Sequence, residues 1–512
     1  MRQSSISKSV LSTRIVNCKD ARQDTNHFIN HDADPSSQTS ELSKGVPRTG
    51  LKKGGVMNRF TLTLALVPLA AMLLVVAAMS AGPKDTNKDG NIFPYPINQT
   101  MLENGLKVIS IPFDSPGIIA YYTVVRSGSR NEIEPGLSGF AHFFEHMMFR
   151  GTEKYNKDAF NNVLKSIGAD NNASTNNDAT VYHTLASADA LETIMDIESD
   201  RFMNLKYTEE DFKTEAGAIL GEYNKNFSSP FQSMFEKLYD TAYEKHTYKH
   251  TTMGFIKDIM DMPNQYQYSL KFFDRWYRPE YCTVVVVGDV KHVQLVALAK
   301  KYYGNWKHGS FVLDVLPEPS QPKEKLVEMK WKAKTLPILA IGYHGPAFSD
   351  SQIDMPAIDL FSQYVFSQQS ELYTKLVIQE QAVEFIQGGQ GDARDPGLFT
   401  IFTRIKDPKN IETVKKEILA AIEKAKTTPI SAKQLADIKS FLKYSYAMGL
   451  DNADAIAGSI SHYISMTGDP ESVNRVYALY DNVTPQDLLM VANKYFSAGN
   501  RTVVLLTQEG AN

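Results

Sequence analysis

Gly139-Phe140-Ala141-His142-Phe143-Phe144-Glu145-His146-Met147-Met148 decides how the rest of the chain is read. His142 and His146 stand four positions apart, and Glu145 directly precedes the second histidine. On a helix, at about 100° per residue, the two imidazoles lie one turn apart on one face and can reach a single point. The surrounding Phe, Ala and Met suit a buried helix, in which an ionised glutamate is costly without a partner. Histidines and a glutamate satisfied only by hydrogen bonds are the plainer reading; a metal ion explains the pattern better. Zinc takes imidazole nitrogen and carboxylate oxygen tetrahedrally, and catalytic sites use three protein ligands with the fourth position open. Glu145, on the flank of the same face, is then placed to act as a general base. The order His-x-x-Glu-His reverses His-Glu-x-x-His. A third ligand must come from elsewhere in the chain.

Outside this stretch, the 512 residues are 43% hydrophobic and 22% charged, an ordinary globular composition that accommodates two or more domains with real cores. Residues 1–56 are polar, Ser-rich and without apolar periodicity, so no packed structure is expected there, and translation from Met57 would omit them. Met57-Asn58-Arg59 then leads into an apolar run, Phe60 to Met79, that ends in Ser80-Ala81-Gly82. A basic start, an apolar stretch and small residues at its end describe a secretory signal and predict export, with the periplasm as destination. The run is also long enough to span a bilayer, so an uncleaved anchor in the inner membrane is the alternative.

The ten basic and five acidic residues before Ala81 leave 44 basic and 53 acidic, a balance near −9 for the exported part. With no basic stripe, nucleic acid is not an expected partner, and a membrane is expected only through residues 60–79. Cys18 and Cys282 are the only cysteines, and an exported form would keep Cys282 alone, in the apolar run Tyr281-Cys-Thr-Val-Val-Val-Val. It is read as a small buried hydrophobe. Asp85-Thr-Asn87-Lys-Asp89-Gly90-Asn91 imitates a calcium loop, but Pro96 stands where a bidentate glutamate belongs, so residues 81–96 read as a linker.

Globular patterning starts at Ile97. Leu106 to Pro112 and Ile118 to Arg126 are β-rich and bounded by turn residues; Gly128 to Gly136 is turn-rich and feeds the histidine helix. Residues 158–167 and 188–203 read as helices, with a strand at Thr180 to Leu185 between them. His183 in that strand and the pair His246 and His250 in a polar, loop-like segment are read as structural. Thr208-Glu-Glu-Asp-Phe opens a helix with acids in its first turn. Glu215 and Glu222 on that helix are seven apart, hence on one face, and either can supply the missing carboxylate.

His142-Phe-Phe-Glu145-His146, with Glu222 standing 76 residues beyond His146 and Glu215 seven before Glu222, resembles the inverted-zincin metallopeptidases. That family holds pitrilysin, insulin-degrading enzyme and the β subunit of mitochondrial processing peptidase. The resemblance implies one Zn2+ per chain on His142, His146 and Glu222, Glu145 as general base, and Glu215 as a helper carboxylate. Asn172 and Ala173, in Asn172-Ala-Ser-Thr175, resemble the family's edge-strand segment, which implies that a peptide substrate adds there as an extra strand.

Internal repetition supports the match. A helix closes into a Thr-Val-Val strand both at residues 263–289 and in the last 30 residues. The expected architecture is therefore α+β: two homologous α/β-sandwich units, each a mainly antiparallel sheet packed with helices, forming half of a clamshell. Residues 97–312 form the zinc-bearing unit, a Pro-rich linker covers 313–325, and residues 326–512 form the second unit without a metal motif. Family members that close as a complete clamshell offer an Arg and, seven residues on, a Tyr from the far half; the matching positions here are Val377 and Glu384. Neither can stabilise an oxyanion. A same-fold partner subunit carrying the Arg/Tyr pair is therefore expected.

Overall fold

The computed structural model describes residues 91–510. The expectations for residues 1–56, the signal or anchor at 57–80, Cys18 and most of the calcium-like stretch lie outside the described residues. No helix among those described is long and apolar enough to cross a membrane.

Two sheets organise the chain. The first contains β1 (Asn98–Met101), β2 (Lys107–Pro112), β3 (Ile118–Val125), β4 (Asp170–Thr175), β5 (Thr180–Ser187) and β6 (Cys282–Gly288), in the order β1-β2-β6-β3-β5-β4. The second contains β7 (Lys325–Trp331), β8 (Ile338–His344), β9 (Val383–Gly389), β10 (Leu398–Ile405) and β11 (Arg501–Gln508), in the order β7-β11-β8-β10-β9. In each, the late Thr-Val-Val strand inserts between the first two long strands, parallel to one and antiparallel to the other: β6 between β2 and β3, β11 between β7 and β8. All other pairings are antiparallel. The fold is thus α+β with two homologous units, as the repeated Thr-Val-Val signal predicts. β1 is an extra edge strand of the first unit, and its short alternating pattern was too weak to read from sequence.

The covering of the sheets explains their composition. Every residue of β6 is buried, because both faces of this central strand are packed, and strands buried on both sides read as unbroken apolar runs. On one face Val284 and Val286 join the core built around Phe143, Phe144 and Phe272. The other face, which carries Tyr122 of β3, packs against helix Ala453–Thr467 of the second unit. There the Tyr122 hydroxyl donates to Asp454 Oδ1 at 2.9 Å. Reciprocally, helix Pro230–Ala242 of the first unit lays Met234, Phe235 and Leu238 on Ile338, Ala340 and Val504 of the second sheet. Each sheet therefore borrows one of its covering helices from the other unit.

A polar cluster pins the same junction. Arg130 Nε lies 2.5 Å from Asp395 Oδ2 and 4.0 Å from Asp178 Oδ1, His246 Nε2 lies 2.9 Å from Asp395, and Tyr248 donates to Asp178 at 2.8 Å. His246 is thus structural, as read from its surroundings, and so is the buried His250, whose ring nitrogen Nδ1 meets the Thr251 carbonyl at 3.0 Å. Burial alone would raise the Asp395 carboxyl, but hydrogen bonds with His246 and Arg130 hold it well below the ordinary carboxylate range. A carboxyl depressed on folding stabilises the protein above its unfolded pKa, about 4, and loses that contribution as pH falls toward the folded value. Asp395→Asn is accordingly expected to cost about 1–3 kcal/mol near neutral pH in urea unfolding, and the gap to wild type is expected to narrow below pH ~4. A gap that does not change with acid would separate the loss from this carboxylate.

Candidate metal centre

The histidine stretch forms a short helix, Phe140–Met147. Phe140, Phe143, Phe144 and Met147 point into the core, where each contributes about 1.5–3 kcal/mol by burial. Off this stripe, His142 and His146 meet helix Glu209–Asn226, and Glu145 is half-buried beside them. That second helix starts as its sequence predicts: the Thr208 side chain accepts from the Asp211 amide at 3.1 Å, and Asp211 Oδ2 accepts from the Thr208 amide at 3.0 Å.

The two acids of this helix bracket His146. Glu215 Oε1 lies 2.9 Å from His146 Nδ1, while Glu222 Oε2 lies 3.5 Å from His146 Nε2 and 3.6 Å from His142 Nε2. The alternatives left open by spacing are therefore separated. Glu222 meets both imidazoles at the nitrogens that face one another, and Glu215 sits behind one ring. His142, His146 and Glu222 offer ligand atoms all within 4.8 Å of one another, the only such group of three or more among the described residues. Zinc bonds of about 2.0–2.1 Å in tetrahedral geometry place ligand atoms roughly 3.3–3.4 Å apart. The residues present fit a zinc ion.

The two imidazoles are pushed in opposite directions. Burial opposes protonation of His146, yet hydrogen bonds with Glu215 and Glu222 push it up to about 9. The hydrogen bond with His146 holds the Glu222 carboxyl low against its burial, whereas burial lowers His142. Burial would raise Glu215, but His146 and Arg150 hold it low. Glu145, Glu215 and Glu222 thus surround the two imidazoles with negative charge, which favours a cation there. Among the described residues, no hydrogen bond or salt bridge occupies the Glu145 carboxylate.

β4 is an edge strand of the first sheet, and the histidine helix packs against it. Asn172 and Ser174 are exposed while Ala173 turns into the core, so the polar Asn-rich segment is a strand with one unpaired edge and not a loop. His183, opposite Asn172 in β5, stacks on Tyr122 with ring centroids 5.2 Å apart, away from the metal group. Cys282 is buried, and burial pushes its thiol well up, as expected of an inert small hydrophobe. Val377 lies in a π-helical turn, Thr374–Gln379, and Glu384 lies on β9 with its carboxylate 3.1 Å from Arg404. The charge at residue 384 is thus paired, which moderates the repulsion expected from a bare carboxylate.

Sequence reasoning missed the groups that brace this site: Glu132, Arg150 and Asn226. Arg150 pairs with Glu215, and Asn226 Nδ2 donates to Glu222 at 3.5 Å. Asn226 follows Glu222 by one helical turn, a spacing that could have flagged it.

Comparison with known proteins agrees with this geometry. The family model described as Insulinase (Peptidase family M16) matches residues 119–255, and that described as Peptidase M16 inactive domain matches residues 265–442. The chain belongs to peptidase family M16. It is 28% identical over 411 residues to the zinc protease PqqE of Helicobacter pylori, covering 79% of this chain and 91% of that protein. It is 24% identical over 424 residues to the mitochondrial-processing peptidase subunit beta of Caenorhabditis elegans, covering 78% and 87% respectively. Among solved structures, a protease from Helicobacter pylori superposes with a TM-score of 0.76 at 27% identity, covering 81% of this chain and all (100%) of that one. The periplasmic protease PqqL from Escherichia coli matches at a TM-score of 0.66 and 19% identity, covering 81% of this chain and 48% of that chain, a likeness of fold alone.

Proposed function

We propose that this chain is a zinc-dependent endopeptidase that hydrolyses peptides or small unfolded polypeptides as the catalytic subunit of a heterodimer. The observation that carries this reading is the meeting of His142 Nε2, His146 Nε2 and Glu222 Oε2 beside a Glu145 carboxylate that no other described residue engages. When bound there, zinc would supply Lewis-acid chemistry, making water more acidic and polarising a peptide carbonyl. Glu145 takes a proton from the attacking water and returns it to the leaving amine. Glu215 holds His146 by Nδ1, which fixes the ring and leaves Nε2 facing Glu222. The free edge of β4, at Asn172 and Ala173, offers main-chain groups to an extended peptide next to this centre, a mode of binding that tolerates many sequences.

A partner is part of the proposal because this chain lacks the second set of donors. Val377 has none, and Glu384 is negative. The match to about half of the Escherichia coli PqqL chain supports a complete enzyme built from two such units, here contributed by separate chains. Export to the periplasm, by cleavage after the apolar run or with that run kept as an inner-membrane anchor, completes the reading. The test is an assay of the purified chain with and without a same-fold partner bearing the Arg/Tyr pair. One zinc per chain is expected by elemental analysis, with peptide hydrolysis only once the partner is added. Full hydrolysis by the chain alone would refute the heterodimer, and a metal-free chain without activity in either mixture would leave a binding scaffold in its place.

A further inference from the structure

The histidine helix has an unusual start. Its N-cap, Gly139, is left-handed at φ 95° and has no side chain with which to satisfy the helix's first amides. A side chain there would be strained by that φ and crowded as well, since a Cβ would stand 2.4 Å from Ile259 Cδ1 and 3.0 Å from the Met253 carbonyl oxygen. The cap comes instead from seven residues upstream. Glu132 Oε2 accepts from the Gly139 amide and Glu132 Oε1 from the Ala141 amide, both at 2.7 Å. Burial pushes this carboxyl up to about 8 against the pull of the two amide hydrogen bonds, and among the described residues its one ion-pair neighbour is His250, whose Nδ1 lies 3.7 Å away.

The loop that carries Glu132 is itself tied down on both sides. Two residues before it, Arg130 pairs with Asp395 of the second unit. Two residues after it, Glu134 accepts from the Tyr268 hydroxyl at 2.8 Å and pairs with Arg275. Asn131 Oδ1 accepts from the Gly128 amide at 3.2 Å. On the other flank of the cap, Ser138 Oγ donates to Asp258 at 2.6 Å and accepts from the Phe255 amide at 2.9 Å. An isolated helix of this length has little stability of its own, and a divalent ion needs its ligands placed within about 0.5 Å.

We infer that Glu132 is a positioning residue for the metal centre: by gripping two amides of the first turn, it sets the direction and register in which His142 and His146 present Nε2 to Glu222. A carboxylate suits the task because it accepts through both oxygens, and the two short amide bonds and the helix dipole favour that form against the burial that opposes it. An amide in its place accepts through one oxygen only and turns an N–H against the other backbone N–H. The inference rests on the metal reading given above and concerns how the ligands are held, not which they are.

Glu132→Gln in the full chain, stripped of metal and titrated with cobalt(II) against a chromophoric chelator, tests it. Wild type is expected to take up one cobalt with the visible absorption of a tetrahedral site. The variant is expected to bind about ten- to a hundredfold more weakly, with an altered spectrum. A folded variant with wild-type affinity and spectrum would overturn the positioning role while leaving the metal site intact, whereas a wild type that takes up no cobalt would overturn both. Should the variant fail to fold, hydrogen exchange on the metal-free wild type decides: slow exchange at Gly139 and Ala141 is expected, because their amides are held by Glu132 and not by the ion. Free exchange at those two amides would overturn it.

Discussion

Glu145→Gln is expected to leave metal binding unchanged and to reduce peptide hydrolysis by the assembled enzyme about a hundred- to ten-thousandfold. The substitution is nearly isosteric, so the helix Phe140–Met147 keeps its apolar packing through Phe143 and Phe144. His142 and His146 keep their positions facing Glu222. What disappears is the only carboxylate next to this group that is free of hydrogen bonds and salt bridges among the described residues; Glu215 is engaged by His146 and Arg150. Because an amide cannot take up a proton near neutral pH, the loss should fall on kcat, with KM nearly unchanged. The measurement is steady-state hydrolysis of a quenched fluorescent peptide alongside elemental analysis of the same preparation. Wild-type turnover in a variant with full metal would remove Glu145 from its role.

His142→Ala and Glu222→Gln are expected to abolish both metal and turnover, and the clearest readout is thermal. An ion that binds only the folded chain stabilises it by about 4 kcal/mol at a thousand times its dissociation constant. The wild-type melting temperature should therefore rise on adding zinc and fall with a chelator, while those two variants should not respond. Glu215→Gln should behave differently: the metal is retained with affinity lowered about ten- to a hundredfold, because Glu215 orients His146 without facing the other imidazole. If Glu215→Gln lost the metal and Glu222→Gln kept it, the assignment of the third ligand would have to be reversed.

Much of the site was legible because its chemistry is local or periodic. His142, Glu145 and His146 share one turn of helix, and the heptad between Glu215 and Glu222 fixes their common face. Spacing could not choose between the two acids, since the choice depends on where the histidine helix crosses the acidic one. Glu132 was invisible for the same kind of reason. It belongs to a loop without periodicity, and its partners are backbone amides that leave no signature in composition. β4 was suggested by family resemblance alone, for Asp170–Thr175 is polar except for Ala173 and intrinsically turn-like; its strand character comes from pairing with β5. By contrast, β6 announced itself as an apolar run, although its sequence could not say that one of its two covers would arrive from residues 453–467.

That crossing of helices has an evolutionary and practical consequence. The two units stand to each other as subunits of an obligate dimer that happen to share a polypeptide: separated, each would present a bare apolar sheet to water. Trimming the chain after residue 312 should therefore leave the first unit unable to fold on its own. The second unit is thus needed for the architecture of the first, and the whole should unfold in a single cooperative transition.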